Sequence, residues 1–387
     1  MGYEFDALIV GAGYAGSVAA RALAEQGKRV LLLERRGHIG GNAYDCLNGD
    51  GVLIHQYGPH IFHTNNKMVF DWLSRFTQWR DYPHKVIANI PAEGGRMTYP
   101  VPFNLTSLET AFGAEEGGRL GRKLIDVYGE ERKVTILELR QSQDPEIAAL
   151  ADYVYEHVFV HYTMKQWGQT PEEIDPNTTA RVPVFLSRDD RYFQDTYQGM
   201  PAEGYTPMFR RMLDHPNITL EVGADALERL DVSGEVVRVD GGEFSGPVIY
   251  TGQADELFGF RFGPLPYRTL DFRFETHNKD FYQTHGTVNY TEDEDFTRIT
   301  EFKHLTGQTL PGRTTIMKEY SRAYTGQGEE TPYYAIINQE NNALYGKYKT
   351  QAERFGNLHL LGRLAEYKYY NMDAIAARAL ELAETLR

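Results

Sequence analysis

Runs of consecutive apolar residues recur near both ends of the chain. Residues 5–10 (FDALIV) lack the alternation of a half-exposed strand, so they predict a parallel strand buried on both faces. GAGYAG follows, then SVAARALAEQG (17–27), whose apolar spacing is helical and whose last residue, Gly27, suits a helix C-terminus. A second apolar run, 30–33, ends in Glu34. The result is a strand–turn–helix–strand unit. Residues 40–65, rich in glycine and histidine, read as loops, and 105–170 turn helical and aromatic. From 180 to 340 short strand-like runs such as ITLEV, VIYTG and TRITEF alternate with turns. The apolar run LHLLG (358–362), a tyrosine-rich loop and a final helix at 373–387 close the chain. No internal repeat or low-complexity linker interrupts this order.

The patterning predicts an α/β fold: a discontinuous nucleotide-binding lobe closed by both chain ends, with two insertions. The expected divisions are 1–85, 210–260 and 345–387 for the lobe, and 100–180 for a mainly helical insertion. Residues 181–209 and 261–344 make a sheet-rich, antiparallel substrate domain. The 387 residues are enough for such an arrangement.

Composition narrows the partners. A net charge of −14 argues against nucleic acid, which needs clustered Lys and Arg. No run approaches the ~20 apolar residues of a membrane span, and no secretory signal is visible, so the expected location is the cytoplasm. The single cysteine, Cys46, excludes a disulfide framework and reads as a small interior or loop residue rather than a nucleophile. The 26 tyrosines and 20 phenylalanines suit pockets that stack on a base and hydrogen-bond phosphates, although many such residues simply fill cores.

A lone GxGxxG is a weak signal; its place between strand and helix strengthens it. Gly11 permits the tight turn, Gly13 lets backbone approach a pyrophosphate, and Gly16 allows helix–strand packing. The helix N-terminus then offers free N–H groups to the phosphates. Glu34 ends the second strand, where a carboxylate accepts from a ribose and disfavours a 2′-phosphate. Directly behind it, ERRGHIGGNAY carries Gly40 and Gly41. This resembles the two-glycine extension of FAD proteins in the amine-oxidase and GDP-dissociation-inhibitor-like group. Gly362 and Arg363 fit the segment that returns to the flavin in that group.

Six further segments carry a closer match: GPHIFHT (58–64), YTMKQWG (162–168), ARVPV (180–184), TRITEFKH (297–304), PYYAIIN (332–338) and GRLAEYKYYNMD (362–373). In this order, and across essentially the whole chain, they resemble bacterial UDP-galactopyranose mutases. The resemblance implies an isomerase that interconverts the pyranose and furanose forms of UDP-galactose. Reduced FAD would act as the nucleophile at the anomeric carbon, without net redox change. It makes Arg181 and Arg298 the grip on the UDP pyrophosphate, a role that bidentate, permanently charged guanidinium groups fit. Phe159 and Tyr162 would stack near the uracil, Gln166 would bond its edge, and Trp167 would lie toward the sugar. Tyr192, Tyr334 and Tyr369 would bond the diphosphate, with His63 beside the flavin. Arg35, Asn42 and Met372 join the expected cofactor set. Where the family often has an acid, this chain has Asn371, which leaves that position's contribution to substrate placement open. His60 and His63 lie three apart, but no Cys or carboxylate cluster completes a metal site. The proline-punctuated stretch 168–183 is expected to be a mobile lid carrying Arg181. The family also implies a flavin reductant and a homodimer. A flavin oxidase of the amine-oxidase group is the main rival, and a non-catalytic binder of the same fold is another. Paired arginines argue against the first, and the complete fingerprint with Glu34 and Arg363 against the second.

Overall fold

The computed structural model describes residues 3–168, 183–328 and 330–387. The N-terminal unit forms as its pattern predicts. Strand β1 (Ala7–Val10), helix α1 (Tyr14–Glu25) and strand β2 (Val30–Glu34) lie in sequence, with β1 and β2 parallel and Leu8 opposite Leu31. They are central to a five-stranded parallel sheet ordered Ile218–Val222, β2, β1, Val248–Tyr250, Leu358–Leu360. The sheet is apolar on both sides because both sides are covered. Ile9, Leu32 and Ile249 pack beneath α1 and the last helix, Met372–Thr385, whose small residues Ala376, Ala379 and Ala383 let it approach closely. Leu8, Leu31, Leu33 and Val248 face the opposite cluster, with Leu230, Val239 and Tyr348.

A second, seven-stranded sheet meets this lobe through Tyr267, which is buried in the same core as Leu8 and Val248. Its order is Tyr334–Ala335, Tyr267–His277, Thr314–Ala323, Arg298–Glu301, Thr287–Tyr290, Val86–Ala92, Gly95–Val101. All neighbours are antiparallel except Thr287–Tyr290 with Val86–Ala92. The patterning assigns no element to the hairpin 86–101. Its partner strand, Thr287–Tyr290, is remote in sequence, and Pro91 breaks the strand signal. Tyr197–Pro201, which falls in the expected sheet-rich unit, pairs instead with Phe62–Thr64 and Trp79–Asp81 in a separate three-stranded sheet.

A helical layer packs on the seven-stranded sheet: Leu108, Leu124, Ile147, Val154 and Phe159 share one core with Val86, Ala88, Ile90 and Tyr99 of its hairpin. Pro145–Val154 starts with Asp144 as N-cap and Pro145 in the first turn, a strong start signal. It runs through a π-helical turn, Tyr155–Val160, into His161–Trp167. Such turns recur at functional sites because they redirect a helix face. The expected lid, apart from Gly168 and Pro183, lies outside the described residues, as does Arg181. Among the described residues, no helix is long and apolar enough to cross a membrane. None of their His, Cys, Asp and Glu side chains form a cluster of three or more able to hold a metal.

Candidate functional site

The glycine-rich turn is closed by backbone-to-backbone packing. A Cβ on Gly16 would sit 1.8 Å from the Gly11 carbonyl oxygen, so only glycine lets α1 start this close to β1. Gly41, at φ +56°, comes so near Gly13 that a Cβ would lie 2.8 Å from its Cα. The Gly40 N–H donates to the Ala12 carbonyl at 2.8 Å, joining the two glycine segments. Glu34 is 6% exposed; its carboxylate accepts from the Ala12 N–H at 2.7 Å and the Arg36 N–H at 2.8 Å. Those bonds leave lone pairs for a ribose. Helix α1 has Gly13 as N-cap with no side-chain cap bond, so no side chain competes with a phosphate for its first N–H groups. These residues therefore fit a dinucleotide cofactor. Arg35, expected at the cofactor, is held bidentately by Glu256 at 2.9 Å and lies near Asp225 at 3.3 Å. Its neighbour Arg36 stacks over Tyr57, which borders the cavity described next.

A cavity of about 410 Å³ opens beside the turn. Asn42, His60 and His63 line it from the N-terminal segment, and Tyr162 from the helical layer. Arg298, Glu319 and Tyr334 rise from the seven-stranded sheet, while Tyr192, Phe193 and Asp195 cover one side. The C-terminal return contributes Arg363, Tyr369, Asn371 and Met372. Asn371 is the N-cap of the last helix and makes no side-chain cap bond; in the first turn Asp373 accepts from the Ala374 N–H at 2.7 Å.

The charge in this cavity is organised from beneath. Glu319, with 0% exposure, accepts from Arg298 Nε at 2.9 Å and Nη2 at 3.0 Å. Strand register causes this, since Arg298 lies directly opposite Glu319 in the antiparallel pair. Although burial alone pulls an arginine's pKa down, Glu319, Tyr162 and Tyr334 carry that of Arg298 well above its ordinary value. It is a fixed cation. His63 stacks on Phe193 with centroids 3.5 Å apart, and its Nδ1 meets Asp195 Oδ2 at 2.9 Å. That bond holds the Asp195 carboxyl below the usual carboxylate range despite burial. Burial keeps His60 and His84 neutral, both pushed down to about 3. Arg363 donates to the Tyr370 carbonyl at 2.7 Å and lies 4.3 Å from the Tyr369 ring, which stacks with Tyr334.

Not every expected residue reaches the cavity. Phe159 is 3% exposed within the helical core, three residues before Tyr162 but on the inward side of the π turn. Gln166 is buried, and its carbonyl accepts from Ser321 Oγ at 2.6 Å and Arg268 Nε at 3.2 Å. The side chain of Trp167 and the whole of Arg181 lie outside the described residues. Cys46 is partly buried, and burial raises its thiol pKa, which removes nucleophilic character at neutral pH. The pattern missed Glu319, Asp195, Phe193, His84, Thr287 and Asn289, all of which line the cavity. Glu319 left one trace: a lone acid at an inward position of the run TTIMKEYSRA.

A parallel βαβ lobe, a cofactor turn closed by a second glycine segment and a C-terminal strand returning beside it define an FAD-binding protein of the amine-oxidase-like group. Solved structures of this group share the fold: a putrescine oxidase covers 99% of this chain and 98% of its own, with TM-score 0.63 at 16% identity. A reduced UDP-galactopyranose mutase structure reaches TM-score 0.73 at 17% identity, covering 99% and 94%. The family model for UDP-galactopyranose mutase matches residues 157–369, and one for NAD(P)-binding Rossmann-like domains matches 9–76. The UDP-galactopyranose mutase of Mycoplasma pneumoniae is 34% identical over 99% of this chain and 96% of its own length. The probable UDP-galactopyranose mutase of Klebsiella pneumoniae is 36% identical over 97% and 93%. An Escherichia coli dTDP-fucopyranose mutase is 34% identical over 97% of both. The chain belongs to the UDP-galactopyranose mutase family.

Proposed function

We propose that the protein interconverts UDP-galactopyranose and UDP-galactofuranose, with reduced FAD and no net redox change. The observation that carries this reading is Arg298, a permanent cation aimed into the cavity from above the fully buried Glu319 and bordered by Tyr162 and Tyr334. A cation held this way, with phenol hydroxyls around it, suits a diphosphate rather than an amine substrate. Gly11, Gly13, Gly16, Glu34, Gly41, Asn42, Arg363 and Met372 would hold the cofactor. When bound and reduced, FAD supplies the nucleophile that the side chains lack. Arg298, with Arg181 as its expected partner, would stabilise charge on the departing UDP, and Tyr192, Tyr334 and Tyr369 would orient it. The Asp195 carboxylate would fix the His63 ring beside the cofactor site. In this reading the protein's share is binding, orientation and exclusion of water.

The same proposal keeps the cofactor lobe at 1–85, 210–260 and 345–387, with the helical and sheet-rich units between. It includes a flavin reductant, a homodimer and a cytoplasmic location.

The test is chromatography of UDP-galactofuranose after incubation with the FAD-loaded protein, with and without dithionite. Formation of UDP-galactopyranose in the reduced sample alone is expected. A parallel incubation with dTDP-fucofuranose separates this reading from the chemistry named for the Escherichia coli relative. Conversion of the dTDP sugar alone would overturn the choice of UDP-galactose. No conversion of either by flavin-loaded, reduced protein would overturn the mutase reading.

A further inference from the structure

The segment YTMKQWG delivers Tyr162 to the cavity, but its lysine has no part in the site described so far. Lys165 is one helical turn beyond Tyr162 and is not among the residues that line the cavity. Its Nζ donates to the main-chain carbonyls of Tyr290, Glu294 and Phe296, at 2.5, 3.1 and 3.3 Å. An ammonium has three N–H donors, and here all three have an acceptor, one at the end of a strand and two on the loop that follows it. That loop, 291–297, joins strand Thr287–Tyr290 to strand Arg298–Glu301. The first strand brings Thr287 and Asn289 to the cavity and the second brings Arg298. Two further bonds join the same loop to the helical layer: Thr291 Oγ1 to the His157 carbonyl at 2.7 Å, and His157 Nδ1 to Glu292 Oε1 at 2.8 Å. The far end of the helix is held as well, by Arg268 and Ser321 on its last carbonyls.

We propose that Lys165 is a positioning residue for substrate: its ammonium ties the helix bearing Tyr162 to the loop between Asn289 and Arg298, and so sets the separation of two cavity walls. The inference rests on the mutase reading above. Without the tether, the loop is held to the helical layer by the Thr291 and Glu292 bonds to His157 alone, so the spacing of the two walls loosens and binding weakens, while the cofactor turn, built on the other sheet, stays intact.

Protonation enters because a neutral amine has only two N–H donors and turns a lone pair toward the third carbonyl. Burial pulls the Lys165 pKa down to about 8, against the opposing pull of Glu292, Asp293, Glu294 and Asp295. The other charged groups facing this junction are already paired. Arg96 bridges to Glu294, His157 to Glu292, and Arg298 to Glu319. Arg268, buried behind the helix, bonds carbonyls and Ser321. Tyr162 and Tyr290 are both shifted upward by burial, away from this range.

The experiment compares FAD-loaded full-length wild type with Lys165→Met and Lys165→Arg, measuring kcat and KM for UDP-galactofuranose from pH 7 to 9.5. Flavin content and thermal unfolding are recorded for each protein. The expected result for Lys165→Met is normal flavin content, kcat within about threefold of wild type and KM raised roughly tenfold, the pattern of lost uniform binding. Wild-type KM should climb through the alkaline range. That climb should be absent in Lys165→Met and moved to higher pH in Lys165→Arg, which keeps the charge. A purely structural lysine would not move the alkaline limb. Should Lys165→Met fail to fold, Lys165→Gln replaces it with the same expectation. Unchanged KM in the folded neutral variant, or the wild-type alkaline limb persisting in it, overturns the inference. Wild type that converts no nucleotide sugar overturns the mutase reading instead.

Discussion

Replacing Gly41 with alanine tests the proposed cofactor turn through two separable costs. The first is conformational: φ at Gly41 is +56°, and an L-residue there costs about 1–2 kcal/mol. The second is contact: the new Cβ would lie 2.8 Å from the Gly13 Cα, and backbone on both sides leaves no flexible side chain to yield. Overpacking of this kind costs about 1–3 kcal/mol. Only the second pushes the glycine segments apart where a pyrophosphate would sit. If it falls on the bound state, it weakens FAD binding by about 5- to 150-fold, at 1.4 kcal/mol per tenfold. The control is Gly27→Ala at the far end of α1, where φ is +90° and an added Cβ would meet nothing within 4 Å. It carries the conformational cost alone, so it should lose about 1–2 kcal/mol of stability and keep its flavin. The assay is the flavin absorbance per protein after dialysis, together with urea unfolding. Equal flavin retention in the two variants would refute the assignment of the Gly13–Gly41 contact to the cofactor.

Three other outcomes follow from the packing and charge. Glu319→Leu should destabilise by about 3–5 kcal/mol in urea unfolding, because it strands the Arg298 charge in a largely dry site; a loss below about 1 kcal/mol would contradict the buried pair. Phe159→Ala should cost about 3–5 kcal/mol as a core truncation and leave KM for the folded fraction unchanged. Tyr162→Phe should do the reverse, and a selective KM effect at Phe159 would restore it to the substrate site. Asp195 has a folded-state pKa below its unfolded one, so its contribution is complete above the unfolded value of about 3.9 and vanishes as pH falls through the folded value. The Tm gap between wild type and Asp195→Asn should therefore be largest above pH 5 and close in stronger acid; a gap independent of pH would contradict the His63 bond as its cause.

What could be read along the chain was local. Continuous apolarity at 7–10 and 30–33 marks strands buried on both faces. The spacing of Gly11, Gly13 and Gly16 marks a turn, and Glu34 ends the second strand within the same short unit, so no distant contact is needed to define it. The α/β class and the FAD-binding lobe follow from such signals. Decisions made by long-range pairing were invisible. The Arg298–Glu319 pair exists because two antiparallel strands align those positions, and a slip of one residue would turn Glu319 to the other face. His63 meets Asp195 only because Tyr197–Pro201 crosses to pair with Phe62–Thr64. Phe159 and Tyr162 share one helical run, yet the π turn and the helical core send one inward and the other to the cavity. Arg35 and Arg36 are adjacent and chemically identical; Glu256 and Asp225, placed by the fold, claim the first and leave the second against Tyr57. Side-chain type and spacing state what a residue is able to do, and only tertiary contacts, which compete for its few hydrogen bonds and its one orientation, decide what it does.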